Sequence, residues 1–326
     1  MIISRTPLRI SFAGGGSDLP AFYHKHGGAV ISTAIDKYVF VNINQKFDSG
    51  IRVSYSKTEE VENVDQVEHP LVRTTMRYLN IAGGVEITTI ADIPSRGTGL
   101  GSSSSFTVGL LHALNAYKGR YVSNAQLGKD SCHIEIDLCG EPIGKQDQYA
   151  AAFGGFNLIE FKPDDSVIVS PVICDPATVR ELEANMLVFY TGITRSASAI
   201  LKQQSEAIAS DEQKRQTMVR MVELAYALRD ELHKNNVAAF GEILHEGWML
   251  KKSMTSGVST QEIDTWYDTA RRAGALGGKI LGAGAGGFLM LYAPRDAHES
   301  IKAALHMLRP ISMGFEPLGS RIIFYH

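Results

Sequence analysis

The sequence predicts an α+β protein built from two packed domains. Its 326 residues exceed what one hydrophobic core comfortably organises. Strand-like and helix-like segments do not alternate regularly, which disfavours a doubly wound parallel sheet. A composition shift near Asp175-Pro176 marks a border, so residues 1–180 and 181–326 are expected to form the N- and C-terminal domains.

The first 60 residues read as strands: Leu8-Arg9-Ile10-Ser11-Phe12 alternates, and Tyr38 to Ile43 alternates in part. Val85 to Ile90 is a further β-branched strand. Phe106, Leu110, Leu114 and Tyr117 then recur at helical spacing. Ser123 followed by Gln126 is a capping-box signal for a helix ending near Gly140. Ile159 to Val172 reads as strands around a Pro-Asp-Asp turn, and Met186 to Tyr190 as an apolar strand. Helix dominates from Arg195 to about Lys234 and returns over Gln261 to Ala273. Lys279 to Gly282 and Phe288 to Tyr292 are strands; Asp296 to Leu308 is a helix; Arg321 to Tyr325 is a closing strand.

With 21% charged residues, a net charge of −3 and no basic run, the chain shows no sign of a nucleic-acid or anionic-membrane partner. No leader-like segment and no apolar stretch of about 18 residues occurs. Cys132, Cys139 and Cys174 form no CxxC pair and suit a reducing compartment, so a cytoplasmic protein is expected. His24, His26, His112 and His133 lack zinc-site spacing, and Trp248 and Trp266 read as helix-packing anchors.

Chemistry concentrates in three glycine loops. Pro94-Ser95-Arg96-Gly97-Thr98-Gly99-Leu100-Gly101-Ser102-Ser103-Ser104-Ser105 runs straight into a helix. Glycines let backbone N–H groups approach a phosphate, the helix adds its unpaired N–H groups and dipole, and serine hydroxyls donate to phosphate oxygens. A P-loop would need Lys after the last glycine; Ser102 stands there, so this is a phosphate loop of another kind. Gly282-Ala283-Gly284-Ala285-Gly286-Gly287 fits G-x-G-x-x-G but leads into a strand, which departs from the dinucleotide pattern. In Ala13-Gly14-Gly15-Gly16-Ser17-Asp18, the carboxylate is either a turn former or an acceptor for two neighbouring hydroxyls.

Taken together, Pro7-Leu8-Arg9 through Asp18, Pro94 through Ser105, and Lys279 through Gly287 resemble, in order and spacing, the three motifs of the galactokinase, homoserine kinase, mevalonate kinase and phosphomevalonate kinase (GHMP) superfamily. The resemblance covers the whole chain. Gly14 to Asp18, Gly144-Lys145-Gln146-Asp147-Gln148 through Gly155, and Tyr190-Thr191-Gly192-Ile193-Thr194-Arg195 are most similar to the D-glycero-D-manno-heptose 7-phosphate kinases, which more often carry Thr where Ser17 stands.

The resemblance implies a ribosomal-protein-like N-terminal domain, a ferredoxin-like C-terminal domain and a site in the cleft between them. It implies an ATP- and Mg²⁺-dependent kinase for the anomeric hydroxyl of a sugar phosphate, heptose 7-phosphate giving the 1,7-bisphosphate. Asp147 would be the catalytic base and Arg9 its electrostatic partner; Arg9 alone also reads as a strand-edge arginine, and Asp147 as a helix cap. ATP would lie on Pro94, Gly97, Gly99, Leu100, Gly101, Ser102, Ser103, Ser104, Gly282, Gly284 and Gly286. Substrate would meet Gly15, Gly16, Ser17, Asp18, Gln148 and Arg195; Ser103 and Glu135 would hold the metal, though Glu135 alone also reads as a solvated helix carboxylate and Arg195 as a solvated arginine at a helix start. Lys145 is either a phosphate neutraliser or a solvated lysine. A homodimer is compatible. A free-sugar kinase, a non-catalytic sugar and nucleotide sensor, and a dehydrogenase are the competing functions.

Overall fold

The computed structural model describes residues 1–93, 97–194 and 197–326. In chain order the first elements are β1 (Ile2–Ala13), α1 (Pro20–His26), β2 (Gly28–Gln45), β3 (Ile51–Ser54), β4 (Thr58–Val61), α2 (Pro70–Tyr78) and β5 (Val85–Ala91). Next come α3 (Ser102–Tyr117), α4 (Asn124–Cys132), α5 (Gln146–Phe153), β6 (Phe156–Phe161), β7 (Val167–Pro171) and α6 (Pro176–Ala184). The second half holds β8 (Met186–Tyr190), α7 (Ala197–Ser210), α8 (Glu212–His233), α9 (Phe240–Met254) and α10 (Gln261–Arg272). It continues with β9 (Gly277–Ile280), β10 (Phe288–Tyr292), α11 (His298–Ala304), β11 (Arg309–Pro310) and β12 (Arg321–Tyr325).

Among the described residues these strands form two sheets. The first runs β12-β1-β2-β5-β3-β4, with β6 and β7 added along the early part of β2; the second runs β11-β8-β10-β9. The chain's last strand, from the half expected to form the C-terminal domain, therefore lies in the first sheet, antiparallel to β1. Pairing of β1 with β2 slips where Pro7 faces Tyr38 and Leu8 faces Ile35. Proline lacks the N–H that a regular ladder would use there, and Asp36 and Lys37 bulge out.

One core joins both sheets. Phe12 of β1 stands edge-on to Phe240 of α9 at 5.3 Å, and Phe240 lies 4.7 Å from Tyr292 of β10. Strand β10 is buried along its whole length: Phe288, Met290 and Tyr292 enter this shared core, while Leu289 and Leu291 enter a second core with Trp248, Trp266 and Tyr267. The two-residue period of a strand explains the division, and a strand covered on both faces explains the unbroken apolar run.

Helix α3 lies across β1, close enough that a Cβ on Gly109 would sit 2.8 Å from the Thr6 hydroxyl. Ser4 and Ser105 hydroxyls donate to Gly109 O and Pro7 O, both at 2.8 Å, pinning helix to strand. The Ser123 cap forms as expected, its hydroxyl accepting from Gln126 N. The helix it starts runs on to Leu138, and its last stretch, His133–Leu138, is π-wound. That widened turn carries Glu135.

His112 on α3 meets the Ser320 hydroxyl at 3.0 Å, just before β12. Burial pushes its pKa down to about 4. A depressed histidine favours the neutral form in the fold, while the unfolded chain takes up a proton near its ordinary value of about 6.5. Stability is therefore whole above about pH 6.5 and falls as pH drops towards 4, by roughly 3 kcal/mol. His112→Gln should flatten the acid side of a Tm-against-pH curve between pH 7 and 4.5; a curve parallel to wild type would disprove the linkage.

Candidate active site

A cavity of about 450 Å³ opens where the two sheets meet, lined from both halves of the chain. Gly14 (φ +84) turns the chain out of β1, and a Cβ there would sit 1.8 Å from Ala29 O. Gly15, Gly16 and Asp18 then line the cavity. Across it lie Gly97 to Gly101 and the first turn of α3, with Gly101 (φ +75) as the helix cap and Ser102, Ser103 and Ser104 facing in. Three unpaired N–H groups and the positive end of α3 are thus directed at the cavity.

Arg9 and Asp147 meet in its floor. Arg9 Nε donates to Asp147 Oδ1 at 2.7 Å and Nη2 to Oδ2 at 2.8 Å, a bidentate, charge-assisted pair. Its third nitrogen, Nη1, donates to Gly99 O at 2.7 Å, and its backbone N–H donates to Leu100 O at 3.0 Å. Arg9 is only 3% exposed, so it is a buried hinge pin between β1, the glycine loop and α5 rather than a strand-edge arginine. Asp147 occupies the first turn of α5, where the helix dipole favours a carboxylate.

Glu135 is 1% exposed, and its partners are neutral: Ser103 Oγ at 3.1 Å, Ser104 Oγ at 2.7 Å and Gln148 Nε2 at 2.6 Å. Burial pushes its pKa up to about 7 against the pull of these hydrogen bonds. A hard divalent cation beside it would supply the missing counter-charge, so the residues fit Mg²⁺. One carboxylate and one hydroxyl leave most of an octahedron to phosphate oxygens and water. Among the described residues no group of three or more His, Cys, Asp or Glu could hold a metal by itself.

Asp18 is buried and accepts from Gly16 N at 3.0 Å, Gln146 N at 3.1 Å and Gln146 Nε2 at 2.9 Å. Burial raises its pKa, and the Asp147 charge raises it further. Two lysines complete the cleft. Lys251 of α9 donates to Gly282 O; burial, then the neighbouring Arg9 charge, brings its pKa down to about 8. Lys279 of β9 donates to Ser11 O at 2.8 Å and Phe12 O at 3.3 Å. Burial, then Lys251 and Arg9, lowers its pKa as well.

The structure separates the residues singled out in the sequence. Arg9, Asp147, Ser103, Glu135, Gly15, Gly16, Asp18, Gly97, Gly99, Gly101, Ser102, Ser104, Gly282, Gly284 and Gly286 all line the cavity. Leu100, Ser17 and Gln148 do not touch it: each is wholly buried. Leu100 offers Arg9 its carbonyl, Ser17 Oγ accepts from Ala29 N at 3.1 Å, and Gln148 holds Glu135. They stand directly behind residues that line the cavity. Pro94 and Arg195 lie outside the described residues. Lys145 pairs with Asp165 at 2.6 Å and is not among the residues that line the cavity. Sequence reasoning missed Lys251, Gln204 and Ser11, which also line it.

The last glycine loop joins β9 to β10, two antiparallel strands, and so lacks the strand-to-helix geometry of a dinucleotide site. It serves instead as the far wall of the cavity. There Gly99 and Gly282 (φ +75 and +72) cross back to back: a Cβ on Gly99 would lie 2.3 Å from Leu281 O, and one on Gly282 2.4 Å from Gly99 Cα.

Backbone donors, hydroxyls and a held carboxylate facing each other across a cleft suit phosphoryl transfer, which asks for positioning and charge rather than covalent chemistry. Similarity to known proteins agrees. Residues 67–155 match the GHMP kinases N terminal domain, and residues 228–307 the GHMP kinases C terminal family. The chain is 31% identical over 315 residues to the D-glycero-alpha-D-manno-heptose 7-phosphate kinase of Campylobacter jejuni, covering 93% of this chain and 92% of that one. The crystal structure of a D-glycero-D-manno-heptose 1-phosphate kinase from Bacteriodes thetaiotaomicron superposes over 100% of both chains with a TM-score of 0.82 and 28% identity. Galactokinase from Lactococcus lactis, at 19% identity over 98% of this chain and 94% of its own, shares the fold with a TM-score of 0.79. The chain belongs to the GHMP kinases and has their two-domain fold of mixed helix and sheet; it is a phosphotransferase.

Because Gly99 and Gly282 share one crossing, Gly99→Ala and Gly282→Ala should each destabilise the protein by about 2 kcal/mol or more. The double variant should lose clearly less than the sum, since one displacement relieves both clashes. Denaturant unfolding of the three variants checks this; strict additivity would show that the loops do not constrain each other.

Proposed function

We propose that this kinase transfers the γ-phosphoryl group of ATP to the anomeric hydroxyl of D-glycero-D-manno-heptose 7-phosphate, giving the 1,7-bisphosphate. The Arg9–Asp147 pair carries the reading. It lies in the cavity bounded by the Ser102–Ser104 helix terminus and by Gly15, Gly16 and Asp18. The C. jejuni relative's name supports the heptose 7-phosphate, and the B. thetaiotaomicron structure's name supports a heptose with its phosphate differently placed. Three unpaired thiols suit a cytoplasmic setting. Among the described residues no helix is long and apolar enough to cross a membrane. We place the division between the domains between β7 and β8, residues 1–180 and 181–326, with β12 returned to the first sheet.

In this mechanism the acceptor hydroxyl oxygen forms a bond to the γ-phosphorus as the bond from that phosphorus to the β-bridging oxygen breaks, and ADP leaves. Asp147 orients the hydroxyl and accepts its proton late in the transfer. The Arg9 fork fixes both carboxylate oxygens, so the acceptor is held in one orientation. The N–H groups and hydroxyls at the start of α3 take the phosphate oxygens. Ser103 and Glu135 would hold the metal, which when bound offsets charge on the β- and γ-phosphates. Lys251 and Lys279 also line the cavity, and a bound anion would favour their charged forms.

Asp147→Asn should bind ADP normally and lose turnover by about 100-fold or more. Near-normal turnover at saturating substrates removes Asp147 from the mechanism. Ser103→Ala and Glu135→Gln should each raise the Mg²⁺ concentration for half-maximal rate several-fold, by about 1 kcal/mol or more for a lost charged contact; an unmoved Mg²⁺ dependence in both places the metal elsewhere. The substrate itself is tested with ATP and a panel of heptose 7-phosphate, heptose 1-phosphate, free heptose, galactose and fucose, read by ADP release and phosphorus NMR. The 7-phosphate should lead free heptose in kcat/KM by roughly tenfold or more, the scale of one charge-assisted contact, with a new anomeric phosphate signal. Equal kcat/KM for the two sugars would replace this reading with a free-sugar kinase.

A further inference from the structure

Three polar side-chain atoms in the cleft have no hydrogen-bond partner among the described residues: Ser11 Oγ, Gln146 Oε1 and Gln204 Nε2. All three residues line the cavity, and Ser11 and Gln204 are only 4% and 1% exposed. They come from separate elements, β1, α5 and α7, yet they gather around the same two glycines. A Cβ on Gly15 would lie 3.5 Å from Ser11 Oγ and 3.8 Å from Gln146 Oε1; one on Gly16 would lie 2.3 Å from Gln204 Nε2. The glycines let these three side chains come close to the loop backbone.

Their chemistry is complementary. Asp18 Oδ1 accepts from Gln146 Nε2 at 2.9 Å, which fixes the amide and leaves its oxygen as an acceptor. Gln204 presents a donor. Ser11 Oγ can donate and accept at once. One acceptor, one donor and one hydroxyl match two neighbouring hydroxyl groups, each of which gives one hydrogen bond and takes another. No charge is involved, so the set suits an uncharged polyol face and not a phosphate. Gln204 also sits between Ile200 and Ile208 on the buried stripe of α7, where an apolar residue would pack without leaving a donor unused.

We propose that Ser11, Gln146 and Gln204 form a subsite around Gly15 and Gly16 that reads two adjacent hydroxyls of the acceptor, with Gln204 setting which configuration is accepted. The subsite rests on the sugar-kinase reading above and adds to it the groups that discriminate between sugars. A site built to hydrogen-bond a hydroxyl rejects an analogue that lacks it, because the buried polar groups are then left unpaired.

The test uses the full chain, the sugar that turns over best in the panel, and its ring epimers and deoxy analogues. Gln204→Met keeps length and packing while removing the amide. It should raise KM for the sugar tenfold or more, leave KM for ATP within twofold, and compress discrimination among epimers and deoxy analogues at least tenfold. The ligand-free variant should melt at or above the wild-type Tm, since an unsatisfied buried donor has gone. A merely structural glutamine would instead lower Tm and leave the epimer ratios intact, which overturns the proposal. If Gln204→Met does not fold, Ser11→Ala decides by the same two readouts. Unchanged sugar KM and epimer ratios there reject the subsite. If the panel yields a good sugar and both variants treat it as wild type does, the subsite fails and the kinase reading stands. If no sugar in the panel is phosphorylated, both fail.

Discussion

Arg9 is the constraint on which the site depends. Its side chain and backbone together tie β1, the glycine loop before α3 and the start of α5, through Asp147, Gly99 O and Leu100 O. A guanidinium suits this position because its planar fork serves a carboxylate bidentately and still has a nitrogen for a carbonyl. A lysine could make the charge but not the three fixed directions. Burying this ion pair costs desolvation, which its short, well-aligned bonds offset. Remove Arg9, and the Asp147 carboxylate and the Gly99 carbonyl both lose the donor that positions them.

The remaining charges in the cleft are held differently. Glu135 faces hydroxyls and an amide, Lys251 faces a carbonyl, and Lys279 faces two carbonyls. Neutral partners steady these groups without cancelling their charge. Burial therefore shifts each towards its neutral form, Glu135 to about 7 and Lys251 to about 8. A neighbouring charge of opposite sign would favour the ionised form of each. The fold sets strands, helix ends and a π-turn around the cleft, so that the charges converge while their chain neighbours stay in the core.

Much of this was legible in the sequence. Strand alternation at Leu8 to Phe12, the run of glycines and serines into α3, and the Ser123 cap are local signals, and each produced the expected element. Asp147 and Glu135 emerged from resemblance, since nothing local distinguishes a catalytic carboxylate from a solvated one. The π-wound end of α4 was invisible because helical periodicity says nothing about a single widened turn. The places of Ser17 and Gln148, outside the cavity lining, were invisible for a related reason. A motif marks residues that matter, but contact with ligand and support from behind look alike until the chain is folded. The second row of supports is set by Ala29 and Glu135, residues 12 and 13 positions away.

Two of the missed residues, Lys251 and Gln204, share a signature that the sequence did contain. Lys251 follows Phe240, Leu244 and Trp248 on the buried face of α9, and Gln204 lies between Ile200 and Ile208 on that of α7. In both helices a polar side chain interrupts an apolar stripe at the right spacing to point inward. A fold dictated by packing alone would place leucine or methionine there, because a buried polar group lowers stability unless something satisfies it. Lys251 is met by one carbonyl, and Gln204 Nε2 by no hydrogen-bond acceptor among the described residues. Both open onto the same cavity. What interrupts the stripe is therefore not a tolerated defect of the core but the part of each helix that belongs to the site. The C-terminal helices contribute chemistry as well as a wall, and ligand binding is where their polar groups find the partners that folding leaves out.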